Sequence, residues 1–268
     1  MDKIAFIGGG NMASAIIGGM IASGWAPSRI TVVDPNADQR DRLTAQHGVT
    51  TTDDVANAAA ADIIVLAVKP QVITSVAEQL GADLSGKLIF SIVAGVSIAT
   101  LEGLFGPVAI ARTMPNTPAL LGLGATGLYV NERASEAQRV AAKGIIEAFG
   151  ICVAVEREDL LDAVTAVSGS GPAYYFLMIE EMIRAGTALG LRPEDAKALT
   201  LQTALGAATM PGRWPAGCAD LGSGPRSGHG RRVAGSSVCH SSCGLRVGSG
   251  CGSCRQALSF GSLHLARG

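Results

Sequence analysis

Cysteine is nearly missing from the first 210 residues: Cys152 is the only thiol there, although the whole chain of 268 residues holds six. One thiol cannot form an internal disulfide framework, so the body reads as a protein of a reducing compartment. Long apolar runs are missing as well. No window supplies the roughly 18 uninterrupted apolar residues a bilayer span needs, so no membrane segment is expected. The opening stretch MDKIAFIGGG has an acid at position 2 and reaches glycine after a few apolar residues. That pattern is a first strand and not an export signal, and a cytoplasmic protein is expected. Basic charge is scarce in the body, with 14 Lys+Arg against 21 Asp+Glu over residues 1–210, a net of about −7. Such a surface argues against nucleic acid as the main partner. Histidine is scarce too: His47 is the only one before residue 211, which leaves a nucleophilic serine without a base.

What is present, at 48% hydrophobic residues, is a globular core. Short apolar runs alternate with helical segments: KIAFI (3–7), ITVVD (30–34), ADIIVLAVKP (61–70), KLIFSIVAG (87–95) and VAIARTMPNTP (108–118). Runs of this kind separated by helices predict a mostly parallel sheet covered on both faces, joined by right-handed crossovers. A helix over 135–149 and a last strand at CVAVE (152–156) complete a first domain, 1–160. From there the character changes. PAYYFLMIEEMIRAGTALGL (172–191) reads as a long apolar helix with proline at its first position, and PEDAKALTLQTALGAATM (193–210) repeats the device. Residues 161–210 are therefore the first helices of an all-α domain whose apolar faces need partners.

The strongest local signal is FIGGGNMASA, a G-x-G-x-x-A pattern formed by Gly8, Gly10 and Ala13 between a strand and a helix. The first glycine permits a tight turn, the second lets a pyrophosphate approach the backbone, and the small third residue lets helix and strand pack. Asp34, at the end of the second run, is either a partner for the adenosine ribose hydroxyls or the N-cap of the helix that follows. The first role favours NADH over NADPH, and Arg40 and Arg42 close by keep both open. Lys69 in AVKPQ is a solvated strand-end lysine or a cleft residue. Ala94 and Gly95 in SIVAGVSI bring small groups to the same edge. In RTMPNTPAL two prolines bracket Asn116, whose amide suits a turn or a nicotinamide carboxamide.

FIGGGNMASA, AVKP, SIVAGV, RTMPNTPAL and TAVSGSGPAYYF, in this order and spacing, resemble the pyrroline-5-carboxylate reductase family over residues 3 to about 208. The resemblance implies an α/β fold with an N-terminal Rossmann-type parallel-sheet domain, followed by an all-α dimerisation domain, here incomplete. It implies NADPH or NADH as cofactor, the cyclic imine 1-pyrroline-5-carboxylate as substrate and L-proline as product. It also implies a homo-oligomer, a dimer or a ring of dimers, with no nucleic acid and no membrane as partner. Carried over by motif, Ile7, Gly8, Gly9, Gly10, Asn11, Met12, Asp34, Ala67, Val68, Lys69, Pro70, Ala94 and Gly95 line the cofactor. Met114 and Asn116 lie near the nicotinamide. Ser168 or Ser170 caps the helix after SGSGPA. Two alternatives stand beside this one. A non-catalytic NAD(P)-binding protein needs only the first domain. A β-hydroxyacid-type dehydrogenase would need a helical-domain lysine, for which residues 160–208 offer only Lys197.

The family continues with more helices and a loop reading roughly S-P-G-G-T-T that holds the substrate carboxylate; nothing like it follows residue 208. Residues 211–268 instead carry seven Arg, one acid (Asp220), no Lys, thirteen Gly and ten Ser. We read them as an aberrant low-complexity tail, disordered, with the composition of a GC-rich gene translated out of frame from near codon 209. Cys239, Cys243, Cys251 and Cys254 have zinc-like spacing, but the apolar residues that pack around structural zinc are missing, so no metal site is expected. With the carboxylate loop absent, no catalytic residue is assigned and weak or no reductase activity is expected.

Overall fold

The computed structural model describes residues 2–81 and 83–210. The tail, with its four spaced cysteines and its expected disorder, lies outside the described residues. The chain divides into two compact units at Met182.

The first unit is built from β1 (Ile4–Ile7), α1 (Asn11–Ala22), β2 (Ile30–Val33), α2 (Ala37–His47), β3 (Thr50–Thr52), β4 (Ile63–Leu66) and α3 (Ile73–Leu80). There follow β5 (Leu88–Ser91), α4 (Ile98–Phe105), β6 (Ala109–Met114), β7 (Gly124–Val130), α5 (Glu136–Glu147), β8 (Gly150–Ala154) and α6 (Leu160–Val164). A π-helical stretch, Thr165–Gly169, then leads into α7 (Gly171–Ala188), within which the division falls. The eight strands form one sheet in the order β3-β2-β1-β4-β5-β6-β7-β8. All pairs are parallel except β6 with β7. This is the expected mostly parallel sheet. Two of its strands are not legible in the apolar runs. β3 is a three-residue Thr edge strand, and β7 has a glycine at each of two positions where a bulky residue would have marked a strand.

The continuous apolar runs follow from burial on both faces. In β1, Ile4 and Phe6 pack with Ile16, Ile17 and Met20 of α1 and Ile145 and Ile146 of α5. Ala5 and Ile7, on the opposite face, pack with Ile73, Val76 and Leu80 of α3 and with Leu101 of α4. Each fully buried large side chain, such as Phe6 or Phe90, contributes about 1.5–3 kcal/mol relative to exposure. α1 is tied to α2 by Ser14 Oγ and His47 Nε2, 3.0 Å apart. Burial, and then the Arg42 charge, lowers the pKa of His47.

The change of character at residue 160 coincides with α6, and α6 belongs to the first unit. Leu161 is buried, and Gly127 of β7 makes room for Val164: a Cβ there would lie 2.7 Å from Val164 Cγ1. The helix expected to begin at Pro172 begins earlier, because α6, the π stretch and α7 run nearly without interruption. Ser168 and Ser170 accordingly do not act as N-caps. Ser168 Oγ donates back to the Val164 carbonyl at 3.0 Å, and the Ser170 N–H bonds the Thr165 carbonyl at 2.8 Å, five residues earlier.

The second unit, in its described part, is the end of α7, a turn, and α8 (Pro193–Ala208). Leu191 N–H closes the turn on the Gly186 carbonyl at 3.1 Å. Gly186 lets the two helices meet, since a Cβ there would sit 3.2 Å from that of Ala196. Among the described residues no helix is long and apolar enough to cross a membrane.

Candidate active site

In a doubly wound sheet the strand order reverses beside β1, and the crevice opens at the carboxyl ends of the strands on either side of that point. Here those strands are β1 and β4. Their ends carry Gly8–Gly10 and Ala67–Lys69, the two segments singled out in the sequence.

The three glycines of the loop are held differently. Gly8 has φ +99°, and a Cβ on it would fall 2.4 Å from the Ala67 carbonyl oxygen, so only glycine fits against β4. A Cβ on Gly9 would meet Leu43 Cδ1 at 2.6 Å. Around Gly10 nothing lies within 4 Å of the Cβ position, so a side chain there would project into open space. Gly10 is also the N-cap of α1 and supplies no side-chain cap, whereas α2, α4 and α5 are capped by Asn36, Ser97 and Ser135. The first turn of α1 therefore keeps N–H groups for an anion, in front of an opening that no Cβ fills. This is the fit a dinucleotide pyrophosphate requires. The opening is a cleft of about 310 Å³ lined by Gly10, Asn11, Met12, Ala13, Ala67, Val68, Lys69, Ile92 and Pro115.

A second hollow of about 190 Å³ adjoins it along the sheet edge, because β5 and β6 send successive residues to each. Ile92 and Pro115 line the first, and Val93, Ala94, Gly95, Arg112, Thr113 and Met114 line the second together with Leu161, Asp162 and Thr165. Its charged wall is fixed. Arg112 Nη1 lies 2.6 Å from Glu158 Oε1, which also accepts the Ile98 N–H at the start of α4, at 2.8 Å. The Arg112 charge is thus matched inside the protein. Arg112 opens the RTMPNTPAL motif and Thr165 opens TAVSGSGPAYYF, but nothing local to either motif marks their role, and Glu158 and Asp162 carry no local signal at all.

The structure brings Gly10, Asn11, Met12, Ala67, Val68 and Lys69 to one cleft, and Ala94, Gly95 and Met114 to the other. Ile7, Gly8, Gly9 and Pro70 stand outside both linings. The Ile7 side chain is buried in the core, and its carbonyl accepts the Ala67 N–H at 2.8 Å. Pro70 opens a short 3₁₀ turn, Pro70–Val72, ahead of α3. Asp34 does not cap α2. Asn36 does, by accepting the Gln39 N–H, while Asp34 Oδ2 accepts the Gly9 N–H at 2.8 Å and Oδ1 the Asn36 N–H at 2.9 Å. Gln39 Nε2 donates to the Gly9 carbonyl from the other side.

Asn116 is buried, and its amide bonds protein on both ends. Oδ1 accepts the Ala125 N–H of β7 at 2.9 Å, and Nδ2 donates to the Ser168 carbonyl at 3.0 Å. The second bond has a clear cause. Pro172 has no N–H, so the carbonyl four residues before it, Ser168, has no helical donor, and Asn116 supplies one. Burial and the Glu147 carboxylate raise the pKa of the Cys152 thiol, against a weaker pull from Lys143, so Cys152 is no ready nucleophile. Among the described residues no cluster of three or more metal-ligating side chains occurs.

Strand order, glycine turn and uncapped helix together define a dinucleotide-binding protein of the Rossmann class. Two family descriptions match the chain: NADP oxidoreductase, coenzyme F420-dependent, over residues 3–95, and pyrroline-5-carboxylate reductase dimerisation over residues 158–237. The pyrroline-5-carboxylate reductase of Pseudomonas aeruginosa is 48% identical over 211 residues, covering 78% of this chain and 77% of that protein. A solved pyrroline-5-carboxylate reductase from Coxiella burnetii superposes with a TM-score of 0.75 at 44% identity, over 78% of this chain and 79% of that one. The Plasmodium falciparum pyrroline carboxylate reductase, solved with NADP bound, gives a TM-score of 0.71 at 32% identity, over 80% and 79%. The chain belongs to the pyrroline-5-carboxylate reductase family. The dimerisation match starts at residue 158, close to the change of character at 160. It ends at 237, beyond residue 208, where the sequence motifs stop.

Proposed function

We propose that this chain is an NAD(P)H-dependent reductase of the C=N bond in 1-pyrroline-5-carboxylate, yielding L-proline. The observation that carries the reading is the uncapped start of α1 behind Gly8–Gly10, open to a cleft at the reversal point of the sheet. Bound NAD(P)H supplies a hydride to C5 of the ring, and the ring nitrogen ends with the proton. The residues of the chain bind and orient. The first-turn N–H groups of α1 take the pyrophosphate, with Asn11, Met12, Ala67, Val68 and Lys69 along its sides. Ala94 and Gly95, whose small side chains leave room for a flat ring, and Met114 line the second hollow and receive the nicotinamide. Asn116 supports this hollow through β7 and the π stretch. The iminium is itself an electrophile, so positioning outweighs acid–base help, in keeping with the absence of an assigned catalytic residue.

We place the functional boundary near residue 160, with the helices after it serving homo-oligomerisation. Tyr174, Tyr175, Phe176 and Leu177 of α7 are all more than half exposed, which supports that use. A cytoplasmic location is supported by the single thiol of the body.

The test is to incubate the full chain with the imine and either NADH or NADPH, following nicotinamide oxidation and proline formation together. One proline per nicotinamide oxidised is expected, at a low rate, because residues 211–268 lack the carboxylate-binding loop. Dinucleotide binding with no proline formed would instead favour the non-catalytic reading, and turnover at a rate usual for the family would show that the loop is not needed.

A further inference from the structure

We propose that Asp162 holds the ring nitrogen of the substrate as a cation, through its carboxylate in the second hollow. The proposal rests on the reductase reading above and adds to it the group that stabilises the iminium.

The hollow joins the residues that receive the nicotinamide, Ala94, Gly95 and Met114, to Arg112 and to Asp162 of α6. Its charges do not balance. Arg112 is matched by Glu158 at 2.6 Å, and the same Glu158 oxygen accepts the Ile98 N–H. The Asp162 carboxylate has no hydrogen-bond or ion-pair partner among the described residues. Asp159, the next acid along the chain, is by contrast paired with Arg157 at 2.9 Å. α6 packs chiefly on β6, β7 and the π stretch, whose titratable side chains are Arg112 and Tyr129 alone. The hollow therefore carries one unmatched negative charge, which suits a cation and disfavours a second carboxylate. The ring enters nitrogen first, with its own carboxylate turned outward.

A cation is what the reaction needs at that point. The hydride forms the new C–H bond at C5 of the protonated imine. The C=N π pair moves to the nitrogen, which keeps its proton and loses its charge, while the nicotinamide is oxidised. A carboxylate beside the nitrogen favours the protonated imine over the neutral one and so extends the reactive form to higher pH. Asp162 also lies in the first turn of α6, where an acid suits the helix dipole, but that role would leave the pH dependence of turnover unmoved.

The experiment follows proline formation by the full chain against pH in the native protein, D162N, D162E and D159N. In D162N the alkaline limb of kcat should move down by about half to one pH unit. The limb of kcat/KM, which reports the free imine, should stay in place. D162E should restore the kcat limb, and D159N should move neither. Binding to the native chain loaded with oxidised cofactor, measured by calorimetry, is independent of both turnover and variant folding. L-Proline should bind about tenfold or more tightly than cyclopentanecarboxylate, which has the ring and no nitrogen, and within about threefold of it in D162N. Equal binding of the two rings by the native chain, or an unmoved kcat limb in D162N, overturns the proposal and leaves the reductase reading intact. Selective L-proline binding without turnover upholds the site and counts against the reductase reading alone. Binding of neither ring, with no proline formed, overturns both.

Discussion

Gly8, Gly9 and Gly10 are adjacent and chemically identical, yet each is glycine for a different reason. Gly8 answers to backbone: its positive φ and the Ala67 carbonyl exclude any Cβ. Gly9 answers to packing against Leu43, and Gly10 to open space. The difference separates stability from binding. Gly8→Ala should cost on the order of 3 kcal/mol or more, visible as a large fall in urea midpoint, because neither φ nor the carbonyl can yield cheaply. Gly10→Ala has ordinary backbone angles and no neighbour to strike, so its urea midpoint should match the native protein. Its NADH affinity should nevertheless drop by about tenfold or more, since the methyl enters the space a pyrophosphate needs. Equal loss of stability in both variants would contradict a Gly10 kept for a ligand.

At the scale of elements, the most informative junction is the one between the RTMPNTPAL loop, β7 and the π stretch. Pro172 interrupts a helix that would otherwise run from Leu160 to Ala188, and Asn116 compensates from another part of the chain. Asn116→Ala leaves the Ser168 carbonyl and the Ala125 N–H without their partner and should cost about 2–4 kcal/mol in chemical denaturation. Pro172→Ala restores an N–H that the Ser168 carbonyl can accept, so the double variant should lose clearly less than the sum of the singles. Strict additivity would mean the two features are unrelated. This junction is only half legible in the sequence, which shows a proline-bracketed Asn and a Pro near a helix start, each in local terms. That one repairs the defect made by the other depends on residues 52 positions apart, which no local pattern reports.

For the whole molecule, the contrast between the sheet and the helices after it decides the behaviour. Strands β1, β2, β4 and β5 bury every apolar side chain, while Tyr174 to Met178 on α7 are each more than half exposed, as are Leu199 and Leu205 on α8. Five consecutive exposed residues turn through more than a full circle of helix, so a single neighbouring face cannot cover them. The chain should therefore sediment as a species larger than a monomer at micromolar concentration. Phe176→Glu with Leu177→Glu should shift it toward the monomer, with little change in the melting of the sheet, because neither side chain contributes to the core. A monomeric native chain under the same conditions would contradict the oligomer reading.

Much of this protein is legible in its sequence alone. Continuous apolar strands, a G-x-G-x-x-A turn and capped helices are local consequences of burial on two faces, of backbone sterics and of unsatisfied N–H groups, so the fold class and the glycine loop can be read residue by residue. The same local patterns mark Asp34, Lys69, Ala94, Gly95 and Met114 as strand-end residues. Only the tertiary structure decided what each one touches. It put Asn36 rather than Asp34 at the cap of α2, turned Asp34 onto the glycine loop, paired Arg112 with Glu158, and drew α6 onto β7 through Gly127. Apart from the local Asn36 cap, those outcomes depend on hydrogen bonds and packing between segments 25 to 60 residues apart, where chain connectivity sets no geometry and only the closed sheet does.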